Sequence, residues 1–182
     1  MPLEPEDLAQ VVEQINSGLN VLQEHYGRER IDGARIRFPR RFIREAYRLR
    51  QTLPDIGTDV QRRNAALTLM TLDVLRWVII RTDLRGAVLS MVVKQALFLL
   101  GSVCEWLTAA SVEGKKFKVR TSRLVERGTI SNVLKVDLDW LWDRRNDAHF
   151  LLVGELEHER YTVDDVNRAQ AAFVALRDAL RQ

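Results

Sequence analysis

Cysteine occurs once in these 182 residues, as Cys104, which excludes an intramolecular disulfide and a cysteine-built metal cluster. A reducing cytoplasm is the expected setting. Glycine (9) and proline (4) are scarce, so the chain has few obligatory breaks, and the abundant Ala, Leu, Arg, Glu and Asp favour helix over sheet. The three histidines, His25, His149 and His158, lie far apart without the paired spacing of a zinc site. No glycine-rich loop is present to cradle a phosphate, which argues against P-loop and dinucleotide enzymes, and no serine or cysteine stands out as a nucleophile. No metal or organic cofactor is expected. The first charged residues, Glu4, Glu6 and Asp7, are acids where an export signal carries basic residues, so the protein is expected to stay inside the cell. The most apolar stretch, Gly86 to Ala110, is interrupted by Lys94, Gln95 and Glu105, which leaves too short a run to cross about 30 Å of hydrocarbon. It predicts a buried central helix and no membrane contact.

What is present is helical periodicity. At this length one domain covering 1–182 is expected. Leu8, Val11, Val12, Ile15, Leu19 and Leu22 recur as one face of a helix from about Pro5 to Tyr26, ended by Gly27. Pro39 stands where a second helix can begin, running through Leu49 to Pro54. Thr58 or Asp59 can cap a third helix, to about Arg81, and Asp83 can cap the central one, to about Ser111. Val112 to Arg120 reads as an exposed basic loop. Thr121-Ser122 then opens a short helix closed by Gly128, Ser131 caps another reaching about Leu151, and Thr162 with Asp165 forms a capping box for the last, to about Leu180. The fold class is all-α, a bundle of about five to six helices.

The net charge of +3 hides an uneven distribution. Every charged residue before Arg28 is an acid, whereas nine arginines crowd Arg28 to Arg50, among them Arg40, Arg41 and Arg44. Lys115, Lys116, Lys118, Arg120, Arg123 and Arg127 form a second cluster opposed by Glu126 alone. Clusters of this kind suit a polyanion, and arginine's planar fork suits phosphate. They serve equally as partners for acidic segments of the same chain, and both readings stand.

The least core-like part of an apolar helix is Trp140-Leu141-Trp142-Asp143-Arg144-Arg145-Asn146-Asp147-Ala148-His149-Phe150. On a helical wheel Arg145 and His149 share one side with Leu134, Leu138 and Leu141, and Asn146 lies three residues before His149. A charge aimed where leucines are aimed is costly unless it is paired or used. Arg145 can pair with an acid from another helix, with His149 a hydrogen-bonded core residue. Alternatively the group is a site.

An arginine and a histidine a few residues apart near the end of a bundle helix, with asparagine beside the arginine, resembles the R-x4-6-H signature of the HEPN superfamily, small helical bundles that include ribonuclease toxins and abortive-infection effectors. The resemblance rests on this motif, on the long apolar helix before it and on one helix after it, from about Leu84 onward. The family spacing assigns Arg144, whereas the Arg-Asn adjacency and the wheel assign Arg145; Arg145 is the first candidate and Arg144 the alternate. The resemblance implies a metal-independent RNA endonuclease in a toxin–antitoxin or phage-defence setting. His149 would act as acid or base, the arginine would stabilise phosphate charge, and Asn146 would orient the imidazole or bind a phosphate oxygen. It also implies RNA as substrate, a homodimer with a composite site, and a cognate antitoxin or other regulatory protein as partner. Lys115, Lys116, Lys118, Arg120, Arg40, Arg41 and Arg44 would hold the nucleic acid. Two other readings remain open: a HEPN-like interaction module without activity, and a helix-turn-helix DNA regulator built from the elements flanking Gly128.

Overall fold

The computed structural model of the chain describes residues 4–39, 41–147 and 160–181, all of whose regular structure is helical. These residues form two compact units divided at Arg40 and Arg41. The first contains α1 (Pro5–Tyr26) and a 3-10 turn, Asp32–Ala34. Helix α1 starts on Pro5, whose missing N–H costs nothing there, and ends at Gly27, whose φ of 54° favours glycine.

The second unit is the expected all-α bundle. It comprises α2 (Ala46–Thr52), α3 (Asp59–Arg81), α4 (Gly86–Ser111), α5 (Phe117–Glu126), α6 (Asn132–Asn146) and α7 (Val163–Ala179). Helix α4 packs against α3, α5, α6 and α7, while α2 lies on α3. Val93, Ala96, Leu97, Leu100, Cys104 and Leu107 of α4 are fully enclosed and meet Leu69 and Leu72 of α3, Leu138 and Leu141 of α6, and Ala169, Phe173 and Leu176 of α7 in one core. By length and composition α4 could cross a membrane, and half of its most apolar window is buried inside the bundle.

Local signals account for several helix starts. Thr58 and Gln61 form a capping box at α3, Thr162 and Asp165 another at α7, and Ser131 Oγ accepts the Leu134 N–H at α6. Three boundaries differ from the sequence expectation. Helix α2 begins at Ala46, not near Pro39, because the Arg44 N–H and guanidinium all donate to the buried Asp73 carboxylate (3.0, 2.9 and 2.7 Å) and hold the backbone out of a helix. Arg85, not Asp83, is the N-cap of α4, and it makes no side-chain capping bond. Helix α5 starts at Phe117, four residues before Thr121, because Phe117 is a core residue. The described part of α6 ends at Asn146; the expected continuation to Leu151 lies outside the described residues.

Burial pushes the Cys104 thiol up to about 12. The native protein at pH 8 is therefore expected to react with thiol-specific reagents about a thousandfold or more slowly than the urea-unfolded chain, as a time course of labelling would show. The raised value means that the native state holds its proton after the unfolded state has lost it. Stability from this group accordingly declines as pH climbs from an ordinary thiol value toward about 12.

Candidate functional site

Arg144, Arg145 and Asn146 form the last turn of α6. Leu138, Leu141 and Arg145 share the face turned to α4, as the wheel predicts, with both leucines fully buried. Opposite Arg145 the α4 residue is Gly101, where a Cβ would stand 2.7 Å from Arg145 Cβ and 3.0 Å from its Cγ. Only glycine lets the arginine stem lie directly on the α4 backbone. The stem leads the guanidinium to Glu105, one turn further along α4, where Nη2 donates to Oε2 at 3.2 Å. Nη1 donates to Asn146 Oδ1 at 3.1 Å. The guanidinium carbon lies 4.9 Å from the Trp142 ring centre and 5.5 Å from that of Phe98, and Trp142 in turn stacks on Phe117 at 4.8 Å. Arg145 Nε is buried without a hydrogen-bond partner among the described residues. With 22% of its side chain exposed, Arg145 holds α6 to α4 by pairing with an acid of another helix.

Arg144 is placed differently. Its guanidinium lies 5.8 Å from the Tyr161 ring centre, and Nη1 is 3.9 Å from Asp147 Oδ2, a looser pairing. Asp147 Oδ2 also accepts from Arg160 Nη2 at 3.0 Å. Tyr161 is buried before α7, its N–H donating to Ser90 Oγ at 3.1 Å, and its ring also lies 5.8 Å from Lys94 Nζ. The end of α6, the start of α7 and the first half of α4 thus gather Lys94, Arg144 and Arg160 around Tyr161 and Asp147. His149 lies in the segment joining Asp147 to Arg160, outside the described residues.

Sequence reasoning took Lys94 and Glu105 only as interruptions of the apolar run and did not single out Ser90 or Tyr161, so none of the four was read as part of a site. A signal existed for two of them. Lys94 and Glu105 are eleven residues apart, three helical turns, so the two charges that interrupt the apolar run fall on one face of α4, with Phe98 and Gly101 between them. That is the face on which α6 lies.

The nucleic-acid candidates separate by burial. Lys115 and Lys116 are exposed beside α5. Lys118 is exposed too, but its ammonium bonds Asp143 Oδ2 at 2.8 Å, and that bond, aided by the charges of Asp143 and Asp139, holds its pKa above the ordinary lysine value despite slight desolvation. Arg120 is buried: Nη1 donates to the Gly114 carbonyl at 2.9 Å and Nε to Thr108 Oγ1 at 3.3 Å, fastening the loop between α4 and α5. Arg120→Ala is expected to cost about 2–3 kcal/mol in urea unfolding, from lost charged hydrogen bonds and stem packing. Arg120→Lys should not restore it, since one ammonium cannot replace the fork. In the first arginine cluster Arg41 is exposed with φ 71°, Arg44 is held by Asp73, and Arg40 lies outside the described residues. Hydrogen bonding with Asp73, the largest cause, and its charge raise the Arg44 pKa above the arginine norm against desolvation.

Among the described residues no group of three or more His, Cys, Asp or Glu is placed to hold a metal ion. No protein-family model matches the chain, and no curated protein or solved structure matches it either.

Proposed function

We propose that this chain is a metal-independent RNA endonuclease of HEPN type, in which Arg144 and His149 are the reacting pair. The observation that carries this reading is the unequal use of two adjacent arginines. Arg145 is committed to Glu105, Asn146 and two aromatic rings, whereas Arg144 lies over the Tyr161 ring and 3.9 Å from Asp147, outside that pairing and next to where the segment with His149 departs. The reaction fits these residue types. His149 withdraws the proton of a ribose 2′-OH, whose oxygen attacks phosphorus, or returns one to the departing 5′-oxygen. The Arg144 guanidinium stabilises charge on the pentacoordinate phosphate. Arg145 and Asn146 then position the end of α6. This exchanges the roles of the two arginines relative to the wheel-based assignment and restores the family's spacing. Two such sites meeting across a homodimer, RNA as substrate, exposed Lys115 and Lys116 as phosphate contacts, and a toxin or defence setting with a regulatory partner belong to the same proposal.

A second reading, an inactive HEPN-like interaction module, is favoured by the Glu105 pairing, which neutralises Arg145, the arginine that the Arg-Asn adjacency and the wheel select. A helix-turn-helix is disfavoured because α6 exposes Val133, Val136 and Asp143, a poor set for base edges. Purified wild type and His149→Ala are incubated with a mixed RNA pool in EDTA, and fragment ends are analysed. Cleavage by wild type alone, leaving 2′,3′-cyclic phosphate, is the expected result. Cleavage retained in the variant, or no cleavage by a folded wild type, overturns the nuclease reading, and the latter outcome supports the module.

A further inference from the structure

The apolar residues of α1 repeat more regularly than burial in an ordinary bundle requires. Leu8, Val12, Ile15, Leu19, Leu22 and Tyr26 follow alternating spacings of four and three along the whole helix, which is the 3.5-residue period of a two-stranded coiled-coil seam, with Val12, Leu19 and Tyr26 at a positions and Leu8, Ile15 and Leu22 at d. None of these residues is buried: Leu8 is 51% and Ile15 57% exposed, and Leu22, half-buried, lines a shallow cleft with Leu19 and Tyr26 against Ile31 and Ile36 of the segment that follows. An apolar stripe of this length, about 27 Å from Leu8 to Tyr26, is costly to leave in water.

The charges say what covers it. Glu6, Asp7, Glu13 and Glu24 all fall at positions away from the seam, while the flanking e and g positions hold Ala9, Val11, Asn16, Gly18, Gln23 and His25. A second acidic helix can therefore approach without placing carboxylates against carboxylates. The acids gather at the N-terminal end, as Glu4, Glu6 and Asp7, whereas at the C-terminal end exposed Arg28 and Arg30 offset Glu24 and Glu29. Two copies laid head to tail set Arg28 and Arg30 of one against the acidic start of the other, whereas two parallel copies stack the two acidic starts on each other. The spacing then closes on itself: Leu8 meets the partner's Tyr26, Val12 the partner's Leu22 and Ile15 the partner's Leu19, with Glu6 opposite the partner's Arg28. Every seam residue finds a seam residue.

We infer that α1 is a self-association helix that pairs with α1 of a second copy of this chain as an antiparallel two-stranded coiled coil. This rests on α1 alone; the nuclease reading also has two copies meeting, through the end of α6, so the α1 variants and crosslinks, and not the dimer itself, carry the test.

Sedimentation velocity of the full chain tests it. Wild type should sediment as a dimer at micromolar concentration. Ile15→Glu, placed twice in each seam, should raise the dissociation constant at least about a hundredfold, since two buried isoleucines are lost per dimer. Val21→Glu, at an equally exposed apolar position off the seam, should leave it unchanged. Orientation is read by oxidation: Leu8→Cys with Tyr26→Cys should give a covalent dimer, and Leu8→Cys alone should not, the buried Cys104 taking no part. A monomeric wild type, a dimer indifferent to Ile15→Glu, equal loss with Val21→Glu, or crosslinking by Leu8→Cys alone would each overturn the proposal. So would a wild-type monomer whose thermal unfolding midpoint falls with Ile15→Glu, which would place the stripe against its own chain.

Discussion

Gly101→Val is expected to destabilise the protein by about 3 kcal/mol, and Gly101→Ala by about 1 kcal/mol, as urea unfolding would measure. A Cβ at this position stands 2.7 Å from Arg145 Cβ, closer than side-chain carbons tolerate, and 3.6 Å from the Leu141 carbonyl oxygen. The clashing atom is attached to the α6 backbone, so no rotamer change relieves the contact and α6 must withdraw. Withdrawal loosens Leu138 and Leu141 in the core and stretches the Arg145–Glu105 pair. Alanine recovers part of the loss, because replacing glycine inside a helix is worth up to about 1 kcal/mol in propensity. Valine adds two methyl groups with a stiff χ1 in the same gap and recovers less. A destabilisation that grows from alanine to valine would show that close approach of α4 and α6, not flexibility at Gly101, is what the glycine provides.

The parts of the fold that could be read from sequence were those set within a few residues. Thr58, Ser131 and the pair Thr162 and Asp165 announce helix starts through bonds spanning three residues, and all three form. The core face of α6 follows from its leucine spacing. The misplaced boundaries depended on distant partners. Nothing near Arg44 reveals that Asp73, 29 residues on, holds its backbone N–H and guanidinium, so the segment from Pro39 reads as one helix. Val112 to Arg120 reads as an exposed basic loop from its lysines and Gly114, yet Phe117 stacks on Trp142 and Arg120 is enclosed against Thr108. Charge composition reports how many cations are present, and packing decides which of them face water.

The same division runs through the candidate site. That Arg145 aims with the leucines follows from the wheel, and that such a charge needs a partner follows from electrostatics; that the partner is Glu105 requires the α4–α6 crossing. Arg144 looked secondary because the wheel turned it away from the core. Its looser contacts with Asp147 and Tyr161 go with that direction, and none of them is a hydrogen bond like the one between Arg145 and Glu105.

Arg144→Ala is therefore expected to lower RNA cleavage about 10²–10³-fold, as for loss of a group that stabilises charge in the transition state, while its unfolding midpoint stays near that of wild type. Arg145→Ala should do the reverse in kind. It removes the bond to Glu105, the stem packed on Gly101 and a cation over the rings of Trp142 and Phe98, and should cost about 2–3 kcal/mol of stability, less than a fully buried pair because both partners keep some contact with solvent. Any loss of cleavage in Arg145→Ala should then follow the folded fraction and recover at lower temperature or in stabilising osmolyte. Single-turnover cleavage beside urea unfolding of the same samples separates the two. If Arg145→Ala abolishes cleavage with stability intact, and Arg144→Ala leaves it unchanged, the roles are exchanged and Glu105 must release Arg145 when RNA binds. Glu105→Gln distinguishes that case: it frees the guanidinium and should then raise cleavage, whereas a purely structural pair predicts lower stability and no gain in rate.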